Sequence, residues 1–469
     1  MNKKNEYIKN TIILFVGKFS SQLISFILLP LYTYKLLTDN YGYVDLLQTY
    51  IGIFAPVLLL QLDSSVFRFL VDCREKDRDK EKIITTSSFC VISILIFSSV
   101  IMIVLKNIIS VSYYSLIIIT TISMVINMYV LSIARGNGDN KAYSISSIIA
   151  ALSNLVLNFL FIIVFNIDAK SILAASTISN ILGSIYLLKK EKIHRYLKIK
   201  SLNFNCLKEM LIYSIPMIPN VLSWWIVNVS DRTIIVYFIS AAANGIYAIS
   251  CKFSNLLNSI FSVFNLSWQE TISVHIDDKD ASSFISLMIS KIFCLFIVLS
   301  CGIIGMMPLL FNIVIGQDYK EAYKYIPLLL LGNIFSVLVG LLGGIYVAKK
   351  RTNKVASTTF FAAIINIIIN ICFINKIGLY AASISTVIAY FVMMLYRYFD
   401  VQKYVTVKLN KKMIIKYACL LCICIILYYI KSIILLSIAT VTIIFIYIKD
   451  NFAFLIANLK KIKKKKINV

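Results

Sequence analysis

The dominant feature of this sequence is a succession of apolar stretches, each about as long as a helix that crosses a membrane. Crossing the hydrocarbon core takes about 20 predominantly apolar residues, and backbone polar groups inside lipid must be satisfied internally, which favours helices. The sequence therefore predicts an all-α polytopic membrane protein. We identify fourteen candidate transmembrane helices, which centre on residues 11–34, 43–67, 83–105, 113–134, 144–166, 171–188, 211–231, 234–268, 286–310, 325–348, 355–374, 377–396, 413–430 and 432–448.

Composition and charge agree with this assignment. Apolar residues make up 59% of the 469 residues and charged residues 15%, whereas soluble domains are about 45–50% apolar and about 25% charged. The net charge of +25 would suggest nucleic-acid binding in a soluble protein. Here most basic residues lie in alternate segments between the apolar stretches, which indicates loops on the cytosolic side. We expect no nucleic-acid partner, an uncleaved first helix, and both termini in the cytosol.

The two halves of the chain resemble each other. KAYSISSIIAALSNLVLNFLFI begins at Lys141 and KVASTTFFAAIINIIINICFI begins at Lys354, and AASTIS (174–179) corresponds to AASIST (381–386). Parallel repeats of this kind occur in transporters, with the substrate site between the halves. We predict a six-helix lobe over 1–205, a second, pseudo-symmetric lobe over 206–405, and a central cavity between them. Asn154 and Asn158 match Asn366 and Asn370, and helix packing is our preferred interpretation of these amides.

The segment 406–469 has no counterpart in the first half. It holds two further apolar stretches and ends in a basic tail, KKIKKKK (460–466). Clusters of lysine next to a transmembrane helix bind anionic lipids of the cytosolic leaflet. We expect the tail to bind such lipids, and binding to an acidic partner is the alternative.

The midpoint of the chain, from Tyr213 to Lys252, combines apolar residues with Pro216, Pro219 and the adjacent Asp231 and Arg232. Proline bends a helix because it lacks a backbone donor, and charged side chains within a membrane usually face a protein interior or a watery cavity. This pattern favours a moving part of a transporter, with the two prolines as a hinge. A bent helix with an outer Asp-Arg pair that reaches water is the alternative.

Polar side chains also follow one helix face in several other apolar stretches. In the first stretch, Lys18 and Gln22 lie one helical turn apart; in the second, Arg68 follows Asp63, which could be its partner or could pair with a neighbouring helix. Lys18 could instead extend to the membrane surface, and Arg68 could mark the membrane boundary. The candidate cavity residues are Lys18, Gln22, Arg68, Asn228, Asp231, Arg232, Lys252 and Asn255.

A ladder of cations beside hydroxyls and amides suits a substrate that carries phosphate and sugar, and it suits a hydrophobic cation poorly. No catalytic motif, glycine-rich phosphate loop or metal-ligand pattern is present. We therefore expect that the protein is not an enzyme and that it binds no cofactor and no metal. H⁺ or Na⁺ could serve as a coupling ion. Cys419, Cys422 and Cys424 lie in an apolar stretch without histidine or carboxylate, and we expect them to be small buried hydrophobic residues.

Three segments carry a family resemblance. These are SFILLPLYTYKLLTDNYGYVDLLQTYIGIFAPVLLLQLDSSVFRF in the first half, P-x-x-P…DRTII…NGIYAISCKF at the midpoint, and GQDYKEAYKYIPLLLLGNIF at 316–335. Together they resemble Wzx-like polysaccharide and oligosaccharidyl-lipid flippases of the MOP superfamily, to which MATE transporters are related. The resemblance covers essentially the whole chain. It implies twelve to fourteen helices in two six-helix lobes, and Lys18, Asp231, Arg232 and Lys252 as candidates for a cationic lumen, although the cation positions vary within the family.

The resemblance implies a function that the residues alone do not fix. Such flippases move undecaprenyl-pyrophosphate-linked oligosaccharide repeat units across the bacterial cytoplasmic membrane for O-antigen, capsule or a related surface polymer. The resemblance thus implies that membrane as the location, and other membrane proteins of polysaccharide assembly as partners. The alternatives are a MATE-type drug or cation antiporter, which would favour acidic lobe interiors, and a lipid II flippase for peptidoglycan. A membrane polymerase or ligase would need a sizeable outer loop, which the sequence lacks.

Overall fold

The computed structural model describes residues 22–74, 76–106, 108 and 111–467, and leaves undescribed the side chains of residues 220, 224, 227, 228, 266 and 452–467. Every regular element in this part of the chain is helical. The α-helices are α1 (Leu29–Lys35), α2 (Thr38–Leu58), α3 (Leu62–Asp72), α4 (Asp77–Leu105), α5 (Tyr114–Gly136), α6 (Asn140–Phe159), α7 (Lys170–Lys190), α8 (Phe204–Ser214), α9 (Ile218–Phe238), α10 (Ala241–His275), α11 (Ala281–Val314), α12 (Ile326–Ala348), α13 (Thr352–Ile377), α14 (Leu379–Val401), α15 (Lys411–Ile430) and α16 (Ile433–Ile467).

These lengths and compositions confirm an all-α polytopic membrane protein. Within the described residues, ten helices are long and apolar enough to cross a membrane, and the number rises to eleven when the bent pair α2–α3 is taken as one span. Many large apolar side chains on these helices are exposed, such as Phe97 and Ile103 on α4, as expected for surfaces that face lipid. The exact count of fourteen spans stays a prediction.

The chain forms two compact units. Unit 1 comprises residues 1–248 and 317–319, and unit 2 comprises residues 249–316 and 320–469, so that α10 contributes to both. In unit 1, buried side chains of α3, α4 and α5, among them Leu70, Ile84 and Val130, form a continuous apolar core. The predicted division at residues 205 and 405 stays a prediction.

The second predicted span, 43–67, is broken rather than continuous. Helix α2 contains Pro56, and the chain leaves the helix at Leu60 and Gln61, whose φ angles of 52° and 54° are left-handed. Helix α3 then begins at an angle of 49° to α2. Proline cannot donate an internal helix hydrogen bond, and left-handed backbone is costly for a residue with a side chain. This bend orients the first turn of α3, which carries Asp63.

The segments that correspond in the two halves also occupy corresponding helices. In unit 1 they form α6 and α7, which pack against each other, and in unit 2 they form α13 and α14, which do the same. Asn366 Nδ2 donates to the hydroxyls of Ser385 and Thr386 on α14, at 3.3 Å each, whereas Asn158 Nδ2 donates to Asn154 within α6. In unit 2, therefore, the repeated amide joins two helices, which agrees with our preferred interpretation.

The cysteines of α15 correct one expectation. Cys424 is buried, as predicted, but Cys419 and Cys422 are exposed. Cys419 and Cys422 lie three residues apart on one exposed face of the helix, whereas Cys424 lies on the face that packs inward. Among the described residues, no group of three or more His, Cys, Asp or Glu side chains could hold a metal ion.

An arginine is completely buried in unit 2. Arg397 on α14 is only 1% exposed, and its guanidinium donates to the carbonyls of Val339 and Val355 and to the Thr358 hydroxyl, at 2.7–3.1 Å. A Cβ atom at Gly343 of α12 would lie 2.7 Å from one guanidinium nitrogen, so glycine leaves room for the cation. A buried arginine is tolerable where its donors are satisfied in this way, and it joins three helices.

We expect Arg397→Ala to destabilise unit 2 by about 3 kcal/mol or more, because each buried polar group left without a partner costs about 1–3 kcal/mol. Arg397→Lys should recover little, since an ammonium cannot reach all three helices at once. Thermal unfolding of the purified protein in detergent measures the effect. The exposed Arg351→Ala is the matched control, and equal melting temperatures for both alanine variants would contradict this role.

Candidate functional site

Two of the predicted cavity residues cannot be placed. Lys18 lies outside the described residues, and so does the side chain of Asn228. Gln22 is half-buried in the helical segment that precedes α1. Arg68 is half-exposed on α3 and forms an ion pair with Asp72 one turn further on, at 2.5 Å between Nη1 and Oδ1. Its partner is therefore Asp72 rather than Asp63, and this environment matches that of a boundary arginine.

Lys252 and Asn255 lie on the part of α10 that belongs to unit 2. Lys252 is half-buried, and Asn255 is exposed. The Asn255 carbonyl accepts a hydrogen bond from Ser259 Oγ at 2.9 Å, within the helix. Both residues therefore lie on the polar stripe that the sequence indicated, and their role in a cavity stays a prediction.

Arg232 has a partner that the sequence analysis did not find. Its Nε donates to Oδ2 of Asp45 on α2 at 2.7 Å. Both side chains are nearly buried, at 12% exposed for Arg232 and 8% for Asp45. The alternative of an outer Arg-Asp pair that reaches water does not describe Arg232, because its carboxylate comes from another helix and the pair is shielded. This ion pair joins α2 to α9 within unit 1.

Asp231, the neighbour of Arg232 in the chain, is buried on a different side of α9. It is 2% exposed, and its Oδ2 accepts a hydrogen bond from the Tyr247 hydroxyl of α10 at 2.9 Å. Successive residues of a helix point about 100° apart, so Asp231 and Arg232 reach different neighbours. Through these two side chains, α9 is joined by polar contacts to both α2 and α10.

Two glycines allow α2 and α10 to approach each other closely. A Cβ atom at Gly42 would lie 1.9 Å from the Ala241 carbonyl oxygen, and one at Gly245 would lie 2.3 Å from the Thr38 carbonyl oxygen. Asn244 Nδ2 donates to the Gly42 carbonyl at 2.7 Å across the same contact. Any larger side chain at these positions would separate the helices and lengthen the polar contacts nearby. The NGIY segment, singled out for its resemblance, therefore has a packing role.

The Trp225 side chain extends the contact between α2 and α9. Its Nε1 donates to the Thr49 carbonyl at 3.3 Å, and its ring stacks on that of Tyr50. The Tyr50 hydroxyl lies 3.1 Å from Thr233 Oγ1. Together with Asp45 and Arg232, these groups form what we call the α2–α9 contact.

The two prolines lie where the structure interrupts a helix that the sequence predicted to bend there. Helix α8 ends at Ser214, a single 3₁₀ turn covers Ile215–Met217 and contains Pro216, and α9 begins at Ile218 with Pro219 in its first turn. Proline fits the first turn of a helix, where its missing N–H leaves no bond unmade. The prolines thus interrupt the predicted span 211–231, and the hinge role stays a prediction.

The Asp45–Arg232 pair should respond to substitution as a unit. Removing one member of a buried ion pair typically costs about 3–5 kcal/mol, whereas replacing both by apolar residues is often close to neutral. We therefore expect Arg232→Met to lower the stability of the purified protein strongly, and Asp45→Leu combined with Arg232→Met to recover most of the loss. Thermal unfolding in detergent measures both.

The exposed Arg68–Asp72 pair provides the matched control, because an exposed pair contributes little to stability. Arg68→Met should therefore leave the melting temperature almost unchanged. If the losses from Asp45→Leu and Arg232→Met simply add in the double variant, the two side chains are not coupled and the ion pair has no structural role.

Comparison with known proteins places the fold. Residues 7–268 match the family described as polysaccharide biosynthesis protein. Over 294 residues the chain is 24% identical to an uncharacterized membrane protein of Methanocaldococcus jannaschii, in an alignment that covers 58% of this chain and 56% of that protein. The chain thus spans little more than half the length of this relative.

Solved structures extend the similarity to the whole chain. The lipid II flippase MurJ in an inward closed conformation has a TM-score of 0.72 at 17% identity, and the match covers 95% of this chain and 100% of that one. A multidrug resistance MATE transporter of the MOP superfamily in an inward-facing conformation has a TM-score of 0.65 at 13% identity, over 84% of this chain and 95% of that one. The chain has the fold of these transporters, and it belongs to the polysaccharide biosynthesis protein family.

Proposed function

We propose that this protein is a flippase that moves undecaprenyl-pyrophosphate-linked oligosaccharide repeat units across the cytoplasmic membrane, for O-antigen, capsule or a related surface polysaccharide. The observation that carries the proposal is the family match over residues 7–268, more than half of the chain. The fold, which is shared with transporters of one superfamily, supports translocation rather than synthesis.

The location and orientation form part of the proposal. The distribution of lysine and arginine supports a cytoplasmic membrane with both termini in the cytosol. The basic tail at 460–466 would then bind anionic lipids of the inner leaflet. Since the sequence carries no nucleotide-binding motif, an H⁺ or Na⁺ gradient, or the flux of substrate itself, would drive transport. The proline-containing turn between α8 and α9 would serve as the hinge.

A MATE-type antiporter is the second candidate, and one feature of unit 1 favours it. Asp45 and Asp231 are both buried among apolar helices, and a cation antiporter would need acids in such positions. In this structure, however, Asp45 is paired with Arg232 and Asp231 accepts from Tyr247. A carboxylate already neutralised by a guanidinium attracts a cationic drug weakly, so the anionic substrate remains the better fit. A flippase specific for lipid II is a close variant of the first proposal.

Because the proposed substrate is anionic, transport should depend on a positive charge at Lys18 and at Lys252. A pyrophosphate inside a membrane protein requires charge-assisted contacts, so we expect Lys18→Glu and Lys252→Glu to stop export of surface polysaccharide, while Lys→Arg keeps part of it and Lys→Ala falls between. Surface polymer and the lipid-linked intermediate that accumulates inside the cell are measured together in a deletion strain that carries each variant.

Lys376→Glu, at the exposed end of α13, is the matched control, and immunoblots of membranes establish equal protein levels. Both Glu variants at normal levels with full surface polymer would show that these lysines only extend to the membrane surface. The assignment of Lys18 and Lys252 to a cationic lumen would then be wrong.

A further inference from the structure

Unit 1 contains a cavity of about 340 Å³, and none of the predicted cavity residues lines it. Asp63, which the sequence analysis considered as a partner of Arg68, does line it. Helix α3, helix α5, the first turn of α6 and the segment from α8 to the proline turn enclose it. The lining residues are Asp63, Ser64, Phe67, Met128, Leu131, Ser132, Arg135, Tyr143, Tyr213 and Met217. One carboxylate, one guanidinium, several hydroxyls and aromatic rings therefore face the same space.

Arg135 presents an unusual guanidinium to this cavity. Its Cζ lies 4.6 Å from the centre of the Phe67 ring and 5.7 Å from that of Tyr143. In the described part of the chain the guanidinium forms no ion pair within 4 Å, although its charge also acts on the Asp63 carboxylate across the cavity. Aromatic faces hold a guanidinium in place but use none of its five N–H donors. The N–H groups of the planar guanidinium thus remain available for two parallel hydrogen bonds to an anion.

The backbone around Arg135 is held firmly. Arg74 Nε donates to the Gly136 carbonyl at 2.9 Å and its Nη2 donates to the Arg135 carbonyl at 3.3 Å. Asn137 Nδ2 donates to Glu191 at 2.8 Å; burial raises the pKa of the Glu191 carboxyl, and the hydrogen bond from Asn137 acts in the opposite direction. The sequence analysis had not assigned a function to this turn. Its contacts fix the direction in which the Arg135 side chain leaves α5.

Asp63 supplies the complementary group. Its Oδ1 is buried and has no hydrogen-bond partner. A buried acceptor without a partner costs about 1–3 kcal/mol, and more when the group is charged. The bend at Leu60 and Gln61 places Asp63 in the first turn of α3, so the strained backbone directs this carboxylate. A ligand that brings O–H or N–H donors would satisfy it.

The two charged groups together select the ligand. A bare anion would use Arg135 but would leave Asp63 unpaired and repelled. A metal cation would use Asp63 but would be repelled by Arg135. A phosphate joined to a sugar matches both, because phosphate binds guanidinium in a bidentate way and sugar hydroxyls donate to carboxylate. The Tyr213 ring, which does not hold Arg135, suits the apolar face of a pyranose, and the volume lies within the range of small-molecule sites, about 300–1,000 Å³.

We propose that this cavity binds a sugar phosphate, with Arg135 on the phosphate and Asp63 on the sugar hydroxyls. The inference rests on the proposed function, and it assigns to these residues the sugar–phosphate junction of the lipid-linked substrate. Helix α3 ends at Asp72 and Arg135 lies in the last turn of α5, and the charge distribution assigns the segments that follow both helices to the cytosol. The cavity therefore lies toward the side from which the substrate would enter.

Binding of glucose 1-phosphate tests the proposal without any transport step. Saturation-transfer NMR detects the sugar protons when the ligand contacts the purified full-length protein in nanodiscs. We expect a signal with the wild type. Because Arg135→Gln and Asp63→Asn each remove a hydrogen bond to a charged group, affinity should fall about tenfold or more. Arg195→Gln and Asp77→Asn, at exposed positions of unit 1, are matched controls and should bind like the wild type.

The competing ligands separate the possible sources of phosphate. Glucose alone and inorganic phosphate should displace the bound glucose 1-phosphate weakly, and added phosphatidylglycerol should leave the signal unchanged. Equal displacement by inorganic phosphate would show a plain anion site, and displacement by phosphatidylglycerol would show a lipid headgroup site. Either result overturns the proposal, as does unchanged binding in both cavity variants.

Folding of the variants is checked by their melting temperatures, and Arg135→Lys replaces Arg135→Gln if the latter does not fold. Lysine keeps the charge but not the fork, so binding should weaken but remain detectable. If the cavity binds glucose 1-phosphate as described while purified protein moves no lipid-linked glycan, the proposed function fails and the assignment of the cavity stands. If glycan is moved but both variants bind normally, only the assignment of the cavity fails.

Discussion

A polar side chain that is buried among these apolar helices must find its partner within the protein, and this constraint determines how the helices of each unit meet. In unit 1, Arg232 of α9 finds Asp45 of α2, and Asp231 finds Tyr247 of α10. In unit 2, Arg397 is buried entirely and is satisfied by carbonyls and hydroxyls of two neighbouring helices. In a lipid environment, where apolar surface alone distinguishes helix contacts poorly, such pairs specify which helix lies next to which.

The same constraint makes exceptions informative. Asp63 Oδ1 is buried without a partner, and the Arg135 guanidinium rests on aromatic rings beside it in one cavity. These two groups are not paired with each other, unlike Asp45 and Arg232. A buried polar group without a partner calls for an explanation, such as a bound water, an ion or a functional role, and at Asp63 the neighbouring Arg135 guanidinium points to a ligand. Within unit 1, the paired charges of Asp45 and Arg232 therefore join helices, whereas the charges of Asp63 and Arg135 remain available to a ligand.

Much of the fold followed from hydrophobic patterning. The apolar stretches predict the helices because lipid leaves the backbone few alternatives, and the matching segments at Lys141 and Lys354 form matching helix pairs. A bend at Pro216 and Pro219 was also predicted, since proline acts through its own backbone, although the structure shows a full interruption there. The break at Leu60 and Gln61 was not predicted, because neither residue type signals a left-handed conformation.

The site was harder to predict, because partners far apart in sequence leave no periodic signal. Asp45 and Arg232 are separated by 187 positions, and Asp45 lies in an apolar run where one acid looks incidental. A buried acid in one span and a buried arginine in another could have been matched as possible partners, but the sequence offered no distance between them. Similarly, the sequence analysis assigned no role to Arg135, and only the structure places it in one cavity with Asp63.

The central claim is that this chain moves an anionic glycolipid rather than a hydrophobic cation. Purified protein can be reconstituted into liposomes that contain a fluorescent undecaprenyl-pyrophosphate-linked oligosaccharide, and a membrane-impermeant reductant then bleaches whatever fluorophore reaches the outer leaflet. The account predicts bleaching beyond the share that protein-free liposomes show, together with no uptake of ethidium into the same vesicles. Bleaching that stops at the protein-free level, with the protein verified as folded in the vesicles, would contradict it.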